Sequence, residues 1–301
     1  MPDRDVVLLE TVKTHRARLV SAFVFGELTE RRLVNNNVKR LIGGVIVAAI
    51  LCAVCGGFSF VTSHLGRQAD QERVQQGMGP ATGPVLAADA FDRDEPRGWG
   101  ESDRGGRWTV AGAPEAYRVT SGAAVINSSD RPRGGHLAAV QHDRTDVTTT
   151  VRPTSVLTDG SLTVIVDGRR VSAEQGYHTV VQLTPGGGIA VSLVRTSTSQ
   201  LQGERQRQIS TTVTMPGSDD QGDEPTPVAI RTQVLGTNPT TIRAKAWPAS
   251  GAEPKEWTVL GSDSTPDLQR PGSVGVRCSA SADEGHAIDL AVDDLVVREA
   301  P

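Results

Sequence analysis

The chain has 301 residues, 31 Lys and Arg against 35 Asp and Glu, and a formal net charge of −4. That length accommodates one large domain or two small ones, and the mildly acidic balance gives no electrostatic footing for nucleic-acid binding. Three cysteines exclude a small disulfide-stapled secreted module, and a hydrophobic share of 37 % beside 22 % charged residues predicts plentiful loops.

Residues 1–40 carry eight basic and five acidic side chains. Leu9, Val12, Leu19, Val20 and Phe23 recur at helical spacing among Lys13, Arg16 and Arg18. This short amphipathic, basic segment suits the inner surface of a membrane or a docking partner. Leu41 to Val61 then run for 21 residues without a charge. At 1.5 Å per residue a helix of that length covers ~30 Å, the thickness of the hydrocarbon core, so 41–61 is read as a transmembrane helix. Its long leader and long apolar run fit a retained anchor better than a cleaved signal peptide.

The basic excess on the N-terminal flank places residues 1–40 in the cytoplasm and the remainder outside, a single pass through the plasma membrane. Gly44, Ala48, Cys52 and Gly56 recur every fourth position along the span. Small residues let helix backbones approach closely in lipid, so they form the expected packing face for homo- or hetero-oligomers. Cys52 and Cys55 belong to that face rather than to redox chemistry, which needs a thiolate that lipid disfavours.

Residues 62–85 continue as a polar helix extension and then a linker marked by Gly77, Gly79, Pro80, Gly83 and Pro84. From 86 to 301 short runs rich in Val, Thr, Ile and Leu alternate with Gly, Pro, Asp and Ser. Strands are predicted at 144–151, 161–167, 176–183, 188–195, 228–235, 240–247, 273–278 and 286–297, with a hairpin turn at Gly186-Gly187-Gly188. The polar stretch 197–226 reads as a long hairpin or surface loop. The fold class is therefore mainly β: an antiparallel jelly-roll sandwich, preceded by a short cytoplasmic helix and one transmembrane helix. Cys278 alone lies outside the span, so burial between sheets must stabilise this domain.

The segments Asp89-Ala90-Phe91-Asp92-Arg93, Gly98-Trp99-Gly100 and Gly105-Gly106-Arg107-Trp108 resemble the opening of concanavalin A-like (laminin G-type) jelly-roll domains of actinobacterial surface and phage tail proteins. Ala244-Lys245-Ala246-Trp247-Pro248, Glu253-Pro254, Trp257 and the closing Ala291 to Val297 are similar as well. The resemblance spans 86–301. It implies fold rather than function, since such sandwiches serve lectins, glycosidases and adhesion modules alike. It also implies a structural Ca²⁺ between first and last strands, with Asp89, Asp92, Asp293 and Asp294 as its ligands. No other cofactor is expected.

Catalytic constellations are missing. No Glu-x-Asp-x-x-Glu strand, His-Glu-x-x-His helix, Gly-x-Ser-x-Gly elbow or phosphate loop occurs. Glu253 with Glu256, and Asp283 with Glu284, read as solvated turn charges. His136, His142 and His178 have no ligand spacing, although the fold can bring them together. The chain is thus expected not to be an enzyme. For sugar binding, Trp108 and Trp247 are assigned to the core, and Tyr177 and Trp257, beside turn residues, are the candidate ligand-binding aromatics.

The expected function is that of a single-pass membrane protein, bedded in lipid, whose outer domain binds envelope glycan or protein. The alternative is a structural or accessory subunit of an envelope complex. The basic cytoplasmic segment, single span and outer β domain are similar in topology to the membrane B subunit of actinobacterial type VII secretion systems, although the outer domain does not match that subunit's repeats. A glycan hydrolase ranks third.

Overall fold

A computed structural model describes residues 12, 83–198, 206–215, 224–281 and 288–301. The chain divides into two units, Met1–Glu72 and Arg73–Pro301, and the second holds the sandwich. The predicted span 41–61, with Gly44, Ala48, Cys52 and Gly56, lies outside the described residues. Among the described residues no helix is long and apolar enough to cross a membrane.

The second unit holds a mainly β antiparallel sandwich of two sheets. The first sheet runs, in spatial order, β14 (Val259–Asp263), β13 (Thr240–Pro248), β12 (Val228–Leu235), β6 (Thr145–Pro153), β16 (Leu290–Glu299), β4 (Ala123–Ile126) and β3 (Tyr117–Thr120), and β1 (Val85–Asp89) also pairs with β16. The second runs β10 (Gln206–Gln208), β9 (Gly188–Thr196), β8 (Gln175–Thr184), β7 (Ser161–Ser172), β15 (Gly272–Ser281), β5 (Arg133–His142) and β2 (Trp108–Val110), with β11 (Val213–Met215) also on β9. Each of the eight predicted runs falls on a strand. Gly186 and Gly187, at φ 72° and 75°, turn the chain between β8 and β9 in a backbone region that side chains disfavour. The polar stretch after β9 returns as two three-residue strands on that same edge.

Period-2 alternation sends every second side chain inward. Val147, Val151, Ile230, Val234, Ile242 and Val292 from the first sheet meet Leu162, Val164, Val166, Val191, Leu193 and Val276 from the second, all at 0 % exposure. A hydrogen bond of 2.9 Å between the hydroxyls of Thr232 and Thr179 bridges the sheets inside this apolar layer. Cys278 is buried and unpaired, and burial pushes its thiol up to about 12, which leaves it protonated and unreactive.

The first 40 residues of the domain form an aromatic nucleus. Trp99 meets Trp108 at 4.8 Å and Tyr117 at 5.9 Å between ring centres, both edge to face, and Phe91 lies 6.0 Å from each indole. The Asp89 carboxylate organises this cluster. It accepts two hydrogen bonds from the Arg93 guanidinium (2.7 and 2.8 Å), one from the Trp108 indole N–H (2.7 Å) and one from the Phe91 amide (3.0 Å). Asp89→Ala leaves a mostly buried guanidinium and an indole N–H without their acceptor. It should lower stability by about 3 kcal/mol, read as a shift of the urea midpoint followed by tryptophan fluorescence.

Candidate functional site

Each sheet also has an outward face, and the two differ. On the first, Asp146 of β6, Arg231 and Gln233 of β12, and Arg243 and Lys245 of β13 stand side by side, since Gln233 pairs in register with both Asp146 and Arg243, and Arg231 with Lys245. Arg231 donates to both Asp146 oxygens (2.9 and 2.6 Å) and to Glu253 (2.7 Å). Lys245 donates to Glu253 (2.8 Å) and to the Pro254 carbonyl (2.6 Å). The Glu253 carboxyl is held below its ordinary value: burial works to raise it, and the bonds from Lys245 and Arg231 outweigh that.

Trp257 lies over the whole group, its ring centre 4.6 Å from Arg243, 4.8 Å from Lys245 and 5.5 Å from Arg231. These charges satisfy one another under a cover of loop. Trp247 is also buried, but on this outward face rather than between the sheets.

The outward face of the second sheet carries a polar group of its own. Register aligns one transverse row, Thr109–His136–Gly275–Asp167–His178–Val194, across six strands. A neighbouring row runs Arg170–Gly176–Thr196, and Gly134–Arg277–Ile165 flanks the other side. From β5 to β9 these rows extend ~19 Å at the usual 4.8 Å strand spacing.

The glycines form the floor. A Cβ on Gly275 would lie 2.9 Å from the His136 Cβ, one on Gly134 would lie 2.7 Å from the Arg277 Cγ, and one on Gly176 would lie 2.9 Å from the His178 Cε1. Side chains are therefore excluded from the space between the polar groups.

The Asp167 carboxylate is the centre of the cluster. Arg277 donates to both its oxygens (2.6 and 3.0 Å), and His178 Nδ1 lies 2.7 Å from Oδ1. An ionised carboxylate only accepts, so Nδ1 carries the proton and, in the neutral ring, Nε2 accepts from the Thr196 hydroxyl at 2.8 Å. Burial works to raise the Asp167 carboxyl, but the charge of Arg277 and the bond from His178 hold it well below the carboxylate range.

Arg170 and His136 are half-buried beside it. Burial lowers the pKa of His136, reinforced by the charge of Arg170, which favours the neutral ring. No hydrogen bond or ion pair engages the Arg170 guanidinium among the described residues.

The predicted site residues are placed as follows. Tyr177 is corrected to the core: it is 0 % exposed, its hydroxyl donates to Asp263 (2.9 Å) and accepts from Gln269 (2.8 Å), and it has no ring face to offer a sugar. Gly176 beside it lies within β8 and not in a turn. Trp257 is half-buried and spends a ring face on cations.

Asp89, Asp92, Asp293 and Asp294 do converge at one end of the sandwich. The Asp293 carboxyl is raised, first by burial and then by the charges of Asp294, Asp92 and Asp89. Asp89, however, is taken by Arg93 and Trp108, and among the described residues no group of three or more His, Cys, Asp or Glu side chains is arranged to hold a metal ion. Of the three histidines, His136 and His178 share the outward face of the second sheet, whereas His142 lies at the far end of β5 beside Asp143.

No protein-family model matches the sequence, and no curated protein matches it. Solved structures similar to the fold include alginate lyase Aly36B in complex with an alginate trisaccharide (TM-score 0.48, 10 % identity, covering 72 % of this chain and 99 % of that one). They also include the laminarinase from Rhodothermus marinus (0.42, 12 %, 72 % and 97 %) and the carbohydrate recognition domain of Emp46p (0.42, 11 %, 64 % and 88 %). At these identities the likeness is one of fold. It corrects the expectation that the chain is not an enzyme. The solved structures similar to it include an alginate lyase and a laminarinase.

A carboxyl whose folded pKa lies below its unfolded value of about 3.9 stabilises fully above that value, and the contribution is lost as pH falls through the folded pKa. Asp167→Asn should therefore flatten the acid limb of the stability curve below about pH 4 and cost about 3 kcal/mol at neutral pH. Urea midpoints between pH 7 and pH 2 measure both.

Proposed function

We propose that this chain is a membrane-anchored envelope protein whose sandwich recognises glycan across the outward face of the second sheet. The span 41–61 holds it in the plasma membrane with residues 1–40 inside. The observation that carries the reading is the set of polar rows on a glycine floor, where His136, Arg170, His178, Thr196 and Arg277 converge from five strands on one outward face. Sugars present hydroxyls along their length, and rows of fixed donors and acceptors with room between them suit such a ligand. This mode needs no aromatic platform, and none of the described aromatics stands on that face.

Full-length protein in nanodiscs, passed over a panel of immobilised envelope glycans, should be retained by some of them. The double change His136→Ala with Thr196→Val should weaken retention at least tenfold in protein that still unfolds cooperatively, the lost bond to His178 costing a modest drop in unfolding temperature. Retention by no glycan, or retention indifferent to that change, would overturn the proposal. The same incubations are read for cleavage products, because an imidazole backed by a carboxylate is the arrangement of a general base. Products lost on His178→Asn would extend recognition to turnover.

The alternative, a subunit of an envelope complex, is favoured by the small-residue repeat in the span. Replacing Gly44, Ala48 and Gly56 by Leu should abolish any detergent-stable complex if that repeat is a packing surface. For topology, protease added to intact cells should remove the sandwich and spare residues 1–40; a sandwich cut only in opened cells would reverse the orientation.

A further inference from the structure

The unengaged Arg170 says more about the ligand. We propose that the glycan bound on this face carries carboxylates, and that Arg170 holds one uronate group over the gap left by Gly176. This deepens the glycan reading and rests on it.

Arg170 is half-buried on the outward side of β7, between Ser273 of β15 and Gly176 of β8 in register. A guanidinium taken partly out of water without an acceptor is costly, and it stays charged because arginine does not deprotonate in proteins. Burial accordingly works against its charged form, only partly offset by Asp167. Asp167 does not discharge it, since both carboxylate oxygens are occupied by Arg277 and one also by His178.

Arg170, Arg277 and Asp167 sum to one unit of positive charge. A single carboxylate matches that charge and the planar fork of a guanidinium, whereas a phosphate monoester would bring about 1.5–2 negative charges. The attraction is local, since the whole chain is negative, at −4. Gly176 keeps the approach clear. Its Cβ would sit 2.5 Å from the Arg169 carbonyl and 2.9 Å from the His178 ring, so no side chain can fill the space beside the guanidinium.

The test uses full-length protein in zwitterionic nanodiscs and three polyuronates (polygalacturonate, alginate and hyaluronate), each beside its methyl ester. Esterification keeps the backbone and hydroxyls and removes the charge. At least one polyuronate should bind tenfold or more tightly than its ester, and salt should weaken that binding. Arg170→Gln should abolish the preference and Arg170→Lys should keep part of it. Among the described residues the guanidinium has no partner to lose, so both variants should unfold at the wild-type temperature. If a variant does not, the comparison of acid and ester on the unmodified protein still decides.

Equal binding of acids and esters, or a preference indifferent to Arg170→Gln, overturns the carboxylate inference and leaves glycan recognition standing. So does binding of polyphosphate in place of all three polyuronates. Failure to bind these and every neutral glycan of the panel removes both.

Discussion

Strand alternation decides which side of each sheet can do chemistry. A β-strand presents its residues to opposite faces in turn, and in this domain the inward positions are committed to stability, with no disulfide to share the task. Val, Ile and Leu fill most of them, and the polar bridges between the sheets, Thr232 to Thr179 and Tyr177 to Asp263 among them, are satisfied by their own partners. Whatever the domain recognises has to meet the outward positions, the loops or the ends of the sandwich.

The two outward faces resolve that condition differently. On the first sheet, Arg231 and Lys245 are bonded to Asp146 and Glu253, Arg243 donates to Gln233, and Trp257 covers all three cations, an arrangement that fixes the loop carrying Glu253 and Pro254 more than it invites a ligand. On the second, Asp167, His178 and Arg277 are equally well bonded, and glycines separate them from their neighbours. Both faces hold buried charge at a desolvation cost. On the second, Arg170 is left without a partner among the described residues.

Much of the architecture could be read from the chain alone. Runs such as Leu162-Thr163-Val164-Ile165-Val166 and the triple glycine at 186–188 announce hairpins by composition and turn chemistry. The strands from β1 to β5 were harder, because four of them have three to five residues and β5 opens Arg-Gly-Gly with two alanines beyond. The site was hidden for a different reason. Its residues come from 134–136, 165–170, 176–178, 194–196 and 275–277, and only register aligns them.

One local signal was available: Asp167 at the end of an apolar run, and Arg277 between Val276 and Cys278, are charges where a half-buried strand has no packing use for them. Tyr177 was misjudged because Gly176 suggests a turn, when its lack of a Cβ serves close approach within β8. Asp89 looked like a metal ligand, although its true partner, Arg93, stands four residues away in the same quoted segment.

The position of β16 has a consequence for how such a head is made. The strand at 290–299 is not an edge piece; it lies between β6 and β4 and also carries β1, whose residues Val85 to Asp89 pair with Arg298 to Leu295. Its partners on both sides emerge from the ribosome long before it does. The first sheet therefore cannot close around a growing chain, and its exposed strand edges must wait, unpaired and prone to stray association, until β16 arrives. A cell that makes this protein has to shelter those edges for as long as the segment 154–289 takes to be synthesised.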